Sequence, residues 1–330
     1  KGDATFKVTS SGTWKKKCNI QFLINERSNL GIVEITGVTS TTVATGVVRR
    51  ALANATATHR WSEGYWSNYN GWPRTVCIST EERLTFGGSS GFPLHIWATK
   101  VNDYTNMLIG DLADDPMISP LTGGGEQNEI KWMLSKGRLT LGTHGNEMTY
   151  GASNPDNPLS PESINRSMVQ SSWGSADVHA REINDCIIYI QRGGRKVREM
   201  AYDYTSDNNK SDDLTVFAEH ITKSGITQIA YQRTPSSAVW CVRGDGQLAL
   251  LMRDKSQDVF AWTRFITASI AGDSVIESCC IVPTTGEEDE VWVSVKRILN
   301  DSIVRTIEYF QPRNFTDNAD MHFLDGGMNY

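Results

Sequence analysis

Two short segments contain residue types that metal sites use. His144 and Glu147 stand three residues apart in the segment 142–147. A structural zinc site needs four donors, and no second His or Cys pair lies at the usual spacing, so a polar β-turn is the favoured interpretation. Asp245 lies between Gly244 and Gly246. This tripeptide lacks the carboxylate ladder of a calcium-binding EF-hand loop and instead predicts a tight hairpin turn.

An acidic cluster offers a different chemistry. Asp111, Asp114 and Asp115 fall within five residues. Two carboxylates hydrolyse glycosides when the fold holds them about 5 to 10 Å apart. The sequence supplies no such distance, and a solvated acidic loop is the favoured interpretation.

A basic cluster surrounds a glycine pair. Arg192, Arg195 and Arg198 flank Gly193 and Gly194. Backbone N–H groups beside several guanidinium groups could cradle an anion, but an exposed hairpin tip is the favoured interpretation. The chain contains no GxSxG, Walker or GxGxxG motif. The sequence therefore predicts no enzyme activity, no catalytic, metal-binding or cofactor-binding residues, and no cofactor.

Aromatic residues crowd one short passage. Trp61, Tyr65, Trp66, Tyr69 and Trp72 are interleaved with Gly and Pro. Flat aromatic faces can stack on sugar rings. Aromatic residues at a junction between domains also wedge those domains together, and the wedge is the favoured interpretation.

Composition limits the classes of partner. The formal net charge of the 330 residues is −6, and the longest basic run is Lys15 to Lys17. A broad nucleic-acid-binding face needs clustered Lys and Arg and is therefore excluded. No stretch is long and apolar enough to cross a membrane as a helix. Six cysteines without CxxC spacing predict reduced, mostly buried thiols.

Hairpin patterns recur along most of the chain. Alternating apolar runs flank turns near Glu82, Gly137, Gly194, Asp245 and Asn300, which lie about 51 to 57 residues apart. A unit of a few short strands cannot bury its own apolar face, so neighbouring units must stack. The period predicts an all-β fold with a β-propeller-like core of about five blade units.

The repeats also define the predicted domains. Residues 1–58 form a small β-rich accessory domain, residues 59–312 form the repeat domain, and residues 313–330 are a C-terminal extension or the start of a further domain. Residues 43–53 are predicted as a short helix. Two helical insertions are predicted, one after a Ser160 N-cap and one along the apolar stripe from Leu214 to Ile221.

An ordered series of short motifs resembles a known family. The series comprises Trp61 to Gly64, Gly71 to Arg74, Glu82 to Gly88, Phe92-Pro93, Trp97 to Lys100, Asp103-Tyr104, Leu141 to Thr143, Gly145 to Glu147, Gln191-Arg192, Val197 to Glu199, Tyr202-Asp203, Asp213 to Thr215, Glu219 to Ile221, Trp240 to Gly246, Ala261-Trp262, Val295 to Arg297 and Ile307-Glu308. Over residues 61–312 the chain resembles the tail nozzle proteins of short-tailed bacteriophages, also called tail tubular protein B-like proteins.

The resemblance implies a structural role. It implies a virion protein, made in the host cytoplasm, whose identical subunits form a ring of usually six around a DNA-conducting channel. Tail adaptor and portal proteins and tail fibres would be its partners, and DNA would pass without sequence-specific binding. Two alternatives stay open: a carbohydrate-binding or glycan-cleaving β-propeller, with its site at the Trp61–Trp72 or Asp111–Asp115 cluster, and a cellular protein-interaction propeller.

Overall fold

A computed structural model describes residues 3–7, 19–23, 30–40, 43–52, 61–110, 112–122, 129–154, 157–205, 208–254, 257, 259–267, 274–286, 288–299 and 301–311. Within these ranges the chain is all β, with 24 strands and no helix. It follows that the described part of the chain contains no apolar helix of membrane-spanning length.

The N-terminal sheet has five antiparallel strands in the order β1-β4-β3-β2-β5. These are β1 (Asp3–Lys7), β2 (Asn19–Leu23), β3 (Leu30–Ser40), β4 (Val43–Arg50) and β5 (Trp61–Glu63). The predicted helix over residues 43–53 is wrong, because β4 occupies most of it. Its β-branched residues favour an extended chain, and burial alternates along its first half. The division at residue 58 stays a prediction, although β5 pairs with β2 from beyond it.

Five further antiparallel sheets follow, here called blades 1 to 5. Blade 1 contains β6 (Thr75–Ile78), β7 (Leu84–Gly87), β8 (His95–Ala98) and β9 (Met117–Pro120). Blade 2 contains β10 (Ile130–Lys136), β11 (Arg138–Thr143), β12 (Glu147–Ala152) and β13 (Asn165–Ser171). Blade 3 contains β14 (Arg181–Ile183), β15 (Cys186–Ile190), β16 (Val197–Asp203) and β17 (Asn208–Asp213). Blade 4 contains β18 (Ile226–Gln232), β19 (Ala238–Arg243), β20 (Leu248–Asp254) and β21 (Val259–Phe265). Blade 5 contains β22 (Ser274–Val282), β23 (Glu290–Leu299) and β24 (Ser302–Tyr309).

The first strands of successive blades lie side by side. β6 contacts β10, β10 contacts β14, β14 contacts β18, and β18 contacts β22. The last strands lie outside, since most residues of β21 and β24 are exposed. Radially arranged sheets with inner first strands and exposed last strands are the arrangement of a β-propeller. The predicted all-β, propeller-like core of about five blades is confirmed.

Apolar layers between neighbouring blades form the core. One layer joins Ile188 and Val197 of blade 3 to Val239 and Leu251 of blade 4. Similar layers lie between blades 1 and 2, blades 2 and 3, and blades 4 and 5. Burial of apolar area therefore stabilises the contacts between sheets, as the repeat pattern requires.

Four of the predicted turns are hairpin turns of the described structure, but they join different pairs of strands in different blades. The turns at Glu82 and Gly137 join the first and second strands of blades 1 and 2. The turns at Gly194 and Asp245 join the second and third strands of blades 3 and 4; Asn300 lies outside the described residues. All hairpins of a propeller use the same turn chemistry, so the sequence period does not reveal which strand comes first.

Neither predicted helical insertion is a helix. After Ser160, whose hydroxyl accepts a hydrogen bond from the Ser163 N–H at 3.2 Å, the chain pairs with β12 as β13. Between Leu214 and Gly225 it makes successive turns, in which the Ala218 N–H bonds to the Thr215 carbonyl at 2.9 Å. The apolar stripe does bury Leu214, Ala218 and Ile221. The segment is too short to sustain a helix on its own, so tertiary packing decides its conformation.

Candidate functional site

The chain entering blade 1 forms a tightly fixed loop. The Ser67 hydroxyl accepts hydrogen bonds from the N–H groups of Tyr69 at 3.2 Å and Asn70 at 3.0 Å. The Asn70 carbonyl in turn accepts the Gly91 N–H at 2.7 Å. Gly71 has a φ of 79°, and a Cβ there would lie 2.9 Å from the Ser90 nitrogen. Only glycine tolerates both the positive φ and this close approach, so the backbone of the loop is fixed at Gly71.

Two aromatic residues anchor this loop to blade 1. The Trp66 ring packs edge-to-face against Phe86 and Trp97, with centroids 4.8 and 5.5 Å apart. The Tyr65 ring contacts Phe92 at 5.1 Å and Trp97 at 6.0 Å. Such aromatic pairs stabilise beyond their area burial. Tyr65 and Trp66 therefore wedge the loop onto the sheet.

The next two aromatic side chains point into solvent. Tyr69 is 64% exposed and Trp72 is 61% exposed. The Trp72 Nε1–H donates to the Asn68 Oδ1 at 3.3 Å, which ties the indole edge to the same loop. We call Tyr69 and Trp72 the aromatic platform. The sequence grouped these residues with Tyr65 and Trp66, and the structure separates a partly exposed pair that packs on blade 1 from the more exposed platform. For Trp61 the structure describes only the backbone.

A compensated charge cluster lies directly after the platform. The Arg74 guanidinium pairs with Glu129, ahead of blade 2, and with Asp177 at 3.1 Å, ahead of blade 3. Glu129 also pairs with Lys131 at 2.7 Å. The four charges cancel formally. The cluster holds the entry segments of three blades at one end of the inner strands.

The acidic cluster lies elsewhere, in the segment joining β8 to β9. Lys100 pairs with Asp114 at 2.8 Å and lies 3.8 Å from Asp115, while Asp111 falls outside the described residues. The hydrogen bond from Lys100 holds the pKa of the Asp114 carboxyl below its ordinary value. A lowered pKa is the opposite of what a glycosidase acid requires.

His144 and Glu147 have different environments. His144 is exposed, whereas Glu147 is fully buried and accepts hydrogen bonds from Ser171 at 2.5 Å and Ser175 at 2.9 Å. Burial raises the pKa of the Glu147 carboxyl, and these hydrogen bonds oppose that rise. Ser171 ends blade 2 and Ser175 pairs with blade 3, so Glu147 fastens the connection between them. No group of three or more metal-binding side chains occurs in the described ranges.

The basic cluster and the Gly-Asp-Gly turn also have structural contacts. Arg192 and Arg195 are exposed, but Arg198 is buried and donates to Gln191 at 2.8 Å and the Ser211 carbonyl at 2.8 Å. Its guanidinium also covers the Trp173 ring at 3.6 Å. Asp245 pairs with Arg243 at 2.7 Å in the turn between β19 and β20. The three arginines do not converge on one anion.

Sequence reasoning missed two features. Arg83 is a fully buried cation, although its sequence position beside Glu82 suggests an exposed turn. A small cavity lies between blades 1 and 2, lined by Ser79, Glu81, Arg138 and Tyr150 among others. These side chains come from positions up to 71 residues apart in the sequence, so no local pattern could have indicated the cavity.

No protein-family model matches the sequence, and no curated protein matches it. Solved structures share the broad fold. One is a protein from Lactobacillus plantarum, with 10% identity over 90% of this chain and 82% of that chain and a TM-score of 0.44. Another is a luciferin-regenerating enzyme, with 12% identity over 93% of this chain and 94% of that chain and a TM-score of 0.40. A third is an auxiliary nutrient binding protein from Bacteroides thetaiotaomicron, with 9% identity over 90% of this chain and 79% of that chain and a TM-score of 0.40.

These findings contradict the resemblance to tail nozzle proteins. The similar structures are cellular proteins, an enzyme among them, and not phage tail proteins. The predicted tail function, virion location and exclusion of enzyme activity are therefore wrong. The shared motifs have a physical explanation, because Trp97 and Trp240 fill the blade core and Gly246 closes a hairpin. The ring and its tail partners stay untested predictions. At these TM-scores the likeness assigns no activity to this chain.

Proposed function

We propose that this chain is a carbohydrate-binding β-propeller that holds a sugar ring on the aromatic platform of Tyr69 and Trp72. The observation that carries the proposal is the exposure of two large aromatic side chains on a loop whose backbone is fixed. Each keeps more than 60% of its surface in water. Covering a solvent-exposed apolar ring with a ligand removes apolar surface from water, and this favours binding.

The chemistry of the platform suits a sugar. One face of a pyranose presents C–H groups, and these pack on an aromatic ring, whose face is electron-rich. Tyr and Trp have few rotatable bonds, so little conformational entropy is lost on binding. The hydrogen bonds that Ser67 and Asn68 accept reduce that loss further, since they hold the loop before the ligand arrives.

Polar groups near the platform suit a neutral ligand. Asn68 is exposed beside Trp72 and offers an amide for sugar hydroxyls. The neighbouring Arg74 pairs with Glu129 and Asp177, so the cluster presents no uncompensated charge for an anionic group. The proposal therefore concerns uncharged sugars and binding alone.

The test is a glycan array followed by titration calorimetry on the full chain. We expect Trp72→Ala and Tyr69→Ala each to weaken binding about 2- to 12-fold, since each removes about 0.5 to 1.5 kcal/mol of stacking. The melting temperature should hardly change, because both rings are exposed. Tyr204→Ala is the matched control, since Tyr204 is 90% exposed in blade 3.

Two results would contradict the proposal. One is an array with no bound glycan. The other is binding that Tyr204→Ala weakens as much as Trp72→Ala does. Trp66→Ala serves as a further comparison, because it removes the anchor and should lower the melting temperature of the free protein.

A further inference from the structure

Trp173 and the turn 191–196 lie together at one end of blade 3. Trp173 precedes β14, and the turn joins β15 to β16. The Arg192 N–H donates to the Gly174 carbonyl at 2.9 Å. Gly174 has a φ of 71°, and a Cβ there would clash with the His144 carbonyl oxygen. A side chain would not fit at this position, so the backbone next to Trp173 is fixed against the turn.

One face of the Trp173 ring is covered and the other is open. The guanidinium of the buried Arg198 lies 3.6 Å from the ring centre. The same guanidinium donates to the Gln191 Oε1 and to the Ser211 carbonyl, both at 2.8 Å, and these hydrogen bonds fix it below the ring. The Trp173 residue is nevertheless 48% exposed. Its open face is therefore held in position before any ligand arrives.

Three exposed cations lie at this end of blades 3 and 4. Arg192 and Arg195 flank the tip of the turn, and Lys223 lies in the connection ahead of β18. That connection contacts the tip, because the Ile226 N–H donates to the Gly194 carbonyl at 2.8 Å. We call Arg192, Arg195 and Lys223 the basic ridge.

The positive charge of the basic ridge is not neutralised by ion pairs within the described ranges. Three acids of the adjoining segments pair with other cations. Asp213 and Glu219 pair with Lys196 at 2.7 and 3.2 Å, and Asp245 pairs with Arg243 at 2.7 Å. The ridge thus stays cationic on a chain whose formal net charge is −6. Such a surface favours a partner that carries negative groups.

The arrangement of the ridge favours a polymer over a small anion. Its cations are spread over a turn of blade 3 and the connection to blade 4, so no single small anion meets all of them. In a polymer of uronic acids, every unit combines a carboxylate with the C–H face of a sugar ring, and one unit can therefore engage both Trp173 and Arg192. A nucleic acid requires a broader basic face than three cations provide. An acidic peptide has no comparable flat C–H face.

From these contacts we propose that Trp173 and the basic ridge bind a polysaccharide of uronic acids. One sugar ring stacks on the open face of Trp173, and its carboxylate accepts hydrogen bonds from Arg192. Carboxylates of the following sugars face Arg195 and Lys223. The inference goes beyond the binding of neutral sugars at the aromatic platform and does not depend on it.

The test is fluorescence anisotropy of the full chain with labelled hexagalacturonate and labelled hexamannuronate. We expect binding of at least one of them, and we expect it to weaken as NaCl rises from about 50 to about 300 mM, because salt screens exposed charges. Hexagalacturonate with methyl-esterified carboxylates is the matched neutral ligand. It should bind about tenfold or more weakly, since it forms no ion pairs with the ridge.

Variants test the named contacts one at a time. Arg192→Gln and Arg195→Gln should each weaken uronate binding about two- to fivefold, as expected for exposed ion pairs. Trp173→Ala should weaken it about 2- to 12-fold through the loss of stacking, whereas Trp173→Phe keeps an aromatic face and should retain most of the affinity. Arg233→Gln is the matched control and should bind like the parent, since Arg233 is exposed at the opposite end of β18 from Lys223.

Melting temperatures distinguish a binding role from a structural one. Trp173→Ala uncovers the buried Arg198 and should lower the melting temperature of the free protein. Trp173→Phe should lower it less, because a ring still covers the guanidinium. Arg192→Gln should leave it unchanged, because the Arg192 side chain is exposed. A loss of uronate affinity in Arg192→Gln therefore reports on binding alone.

Repeating the titration with Trp72→Ala separates the ridge from the platform. Unchanged uronate binding in that variant supports a separate site, and its loss would assign the uronates to the platform and overturn the inference. Failure of both uronates to bind would also overturn it, as would equal binding of the esterified ligand or unaltered binding in Arg192→Gln and Arg195→Gln. Tighter binding of poly-glutamate or of a single-stranded oligonucleotide would assign the ridge to a different polyanion and reject the proposal.

Discussion

Replacing Arg83 by Met should loosen the attachment of the segment between β8 and β9 to blade 1. Arg83 is 1% exposed, and its guanidinium donates to the carbonyls of Thr99 at 2.8 Å, Asp115 at 2.7 Å and Ala113 at 2.5 Å. One cation thus ties both ends of this segment to blade 1. Burial lowers the pKa of the guanidinium, and the hydrogen bonds offset the cost of taking the charge out of water.

The three hydrogen bonds set the magnitude. Thr99 is fully buried, so its carbonyl would lose its partner without gaining water, at about 1 to 3 kcal/mol. Ala113 is exposed and Asp115 is partly exposed, so their carbonyls can be hydrated, and each lost bond costs about 1 kcal/mol or less. The sum is about 3 kcal/mol. For a domain of this size that lowers the melting temperature by about 6 to 12 °C.

Thermal unfolding followed by circular dichroism measures this effect, and limited chymotrypsin digestion locates it. Tyr104 is 43% exposed in the same segment and donates to Glu82 at 3.0 Å. We expect cleavage after Tyr104 to accelerate in Arg83→Met. Arg195→Met is the control, since Arg195 is exposed and should change stability by less than about 0.5 kcal/mol.

A small effect would refute this reasoning. If Arg83→Met melted within about 2 °C of the parent protein and Tyr104 were cut at the parent rate, the guanidinium would not hold the segment. Destabilisation with unchanged cleavage would place its role in the blade core instead.

Two further predictions concern buried ionisable groups. Because burial raises the folded-state pKa of Glu147 above its ordinary value of 4.5, its contribution to stability is fully present below that value and is lost as pH rises through the folded pKa. We therefore expect the parent protein to lose stability relative to Glu147→Gln as pH rises from 4 to 8. Urea unfolding of both proteins measures this difference in unfolding free energy, and a difference that does not change with pH would contradict the prediction. Burial also raises the pKa of Cys279 to about 12, whereas Cys280 is exposed. Iodoacetamide at pH 8 should therefore label Cys280 faster than Cys279, and tandem mass spectrometry can distinguish the two sites. Cys280→Ser should remove the faster labelling of this pair, and equal labelling rates at the two cysteines would contradict the burial of Cys279.

Much of the fold was predictable because strand patterning is local. Alternation along Val239 to Val242 and the Gly-Asp-Gly turn together indicate a hairpin wherever they occur. The helical predictions failed for the opposite reason. The stripe from Leu214 to Ile221 has helical spacing, yet short segments adopt the conformation that their neighbours can pack.

The candidate sites were less predictable, since exposure is not a local property. Trp66 and Trp72 lie six residues apart in similar sequence surroundings. One packs against Trp97, from the third strand of blade 1, and the other is left in solvent. The resemblance to tail nozzle proteins was misleading, because its motifs comprise turns and core aromatic residues that a propeller needs for folding.

The sequence by itself determined an all-β chain of about five stacked hairpin units, because alternation and turn residues act over a few neighbouring positions. Only the tertiary structure decided which aromatic rings face water and which carbonyls Arg83 joins. It also decided that Ser79 and Tyr150 share one cavity. Those properties depend on distances between residues far apart in the chain, and the packing of one blade against the next sets these distances.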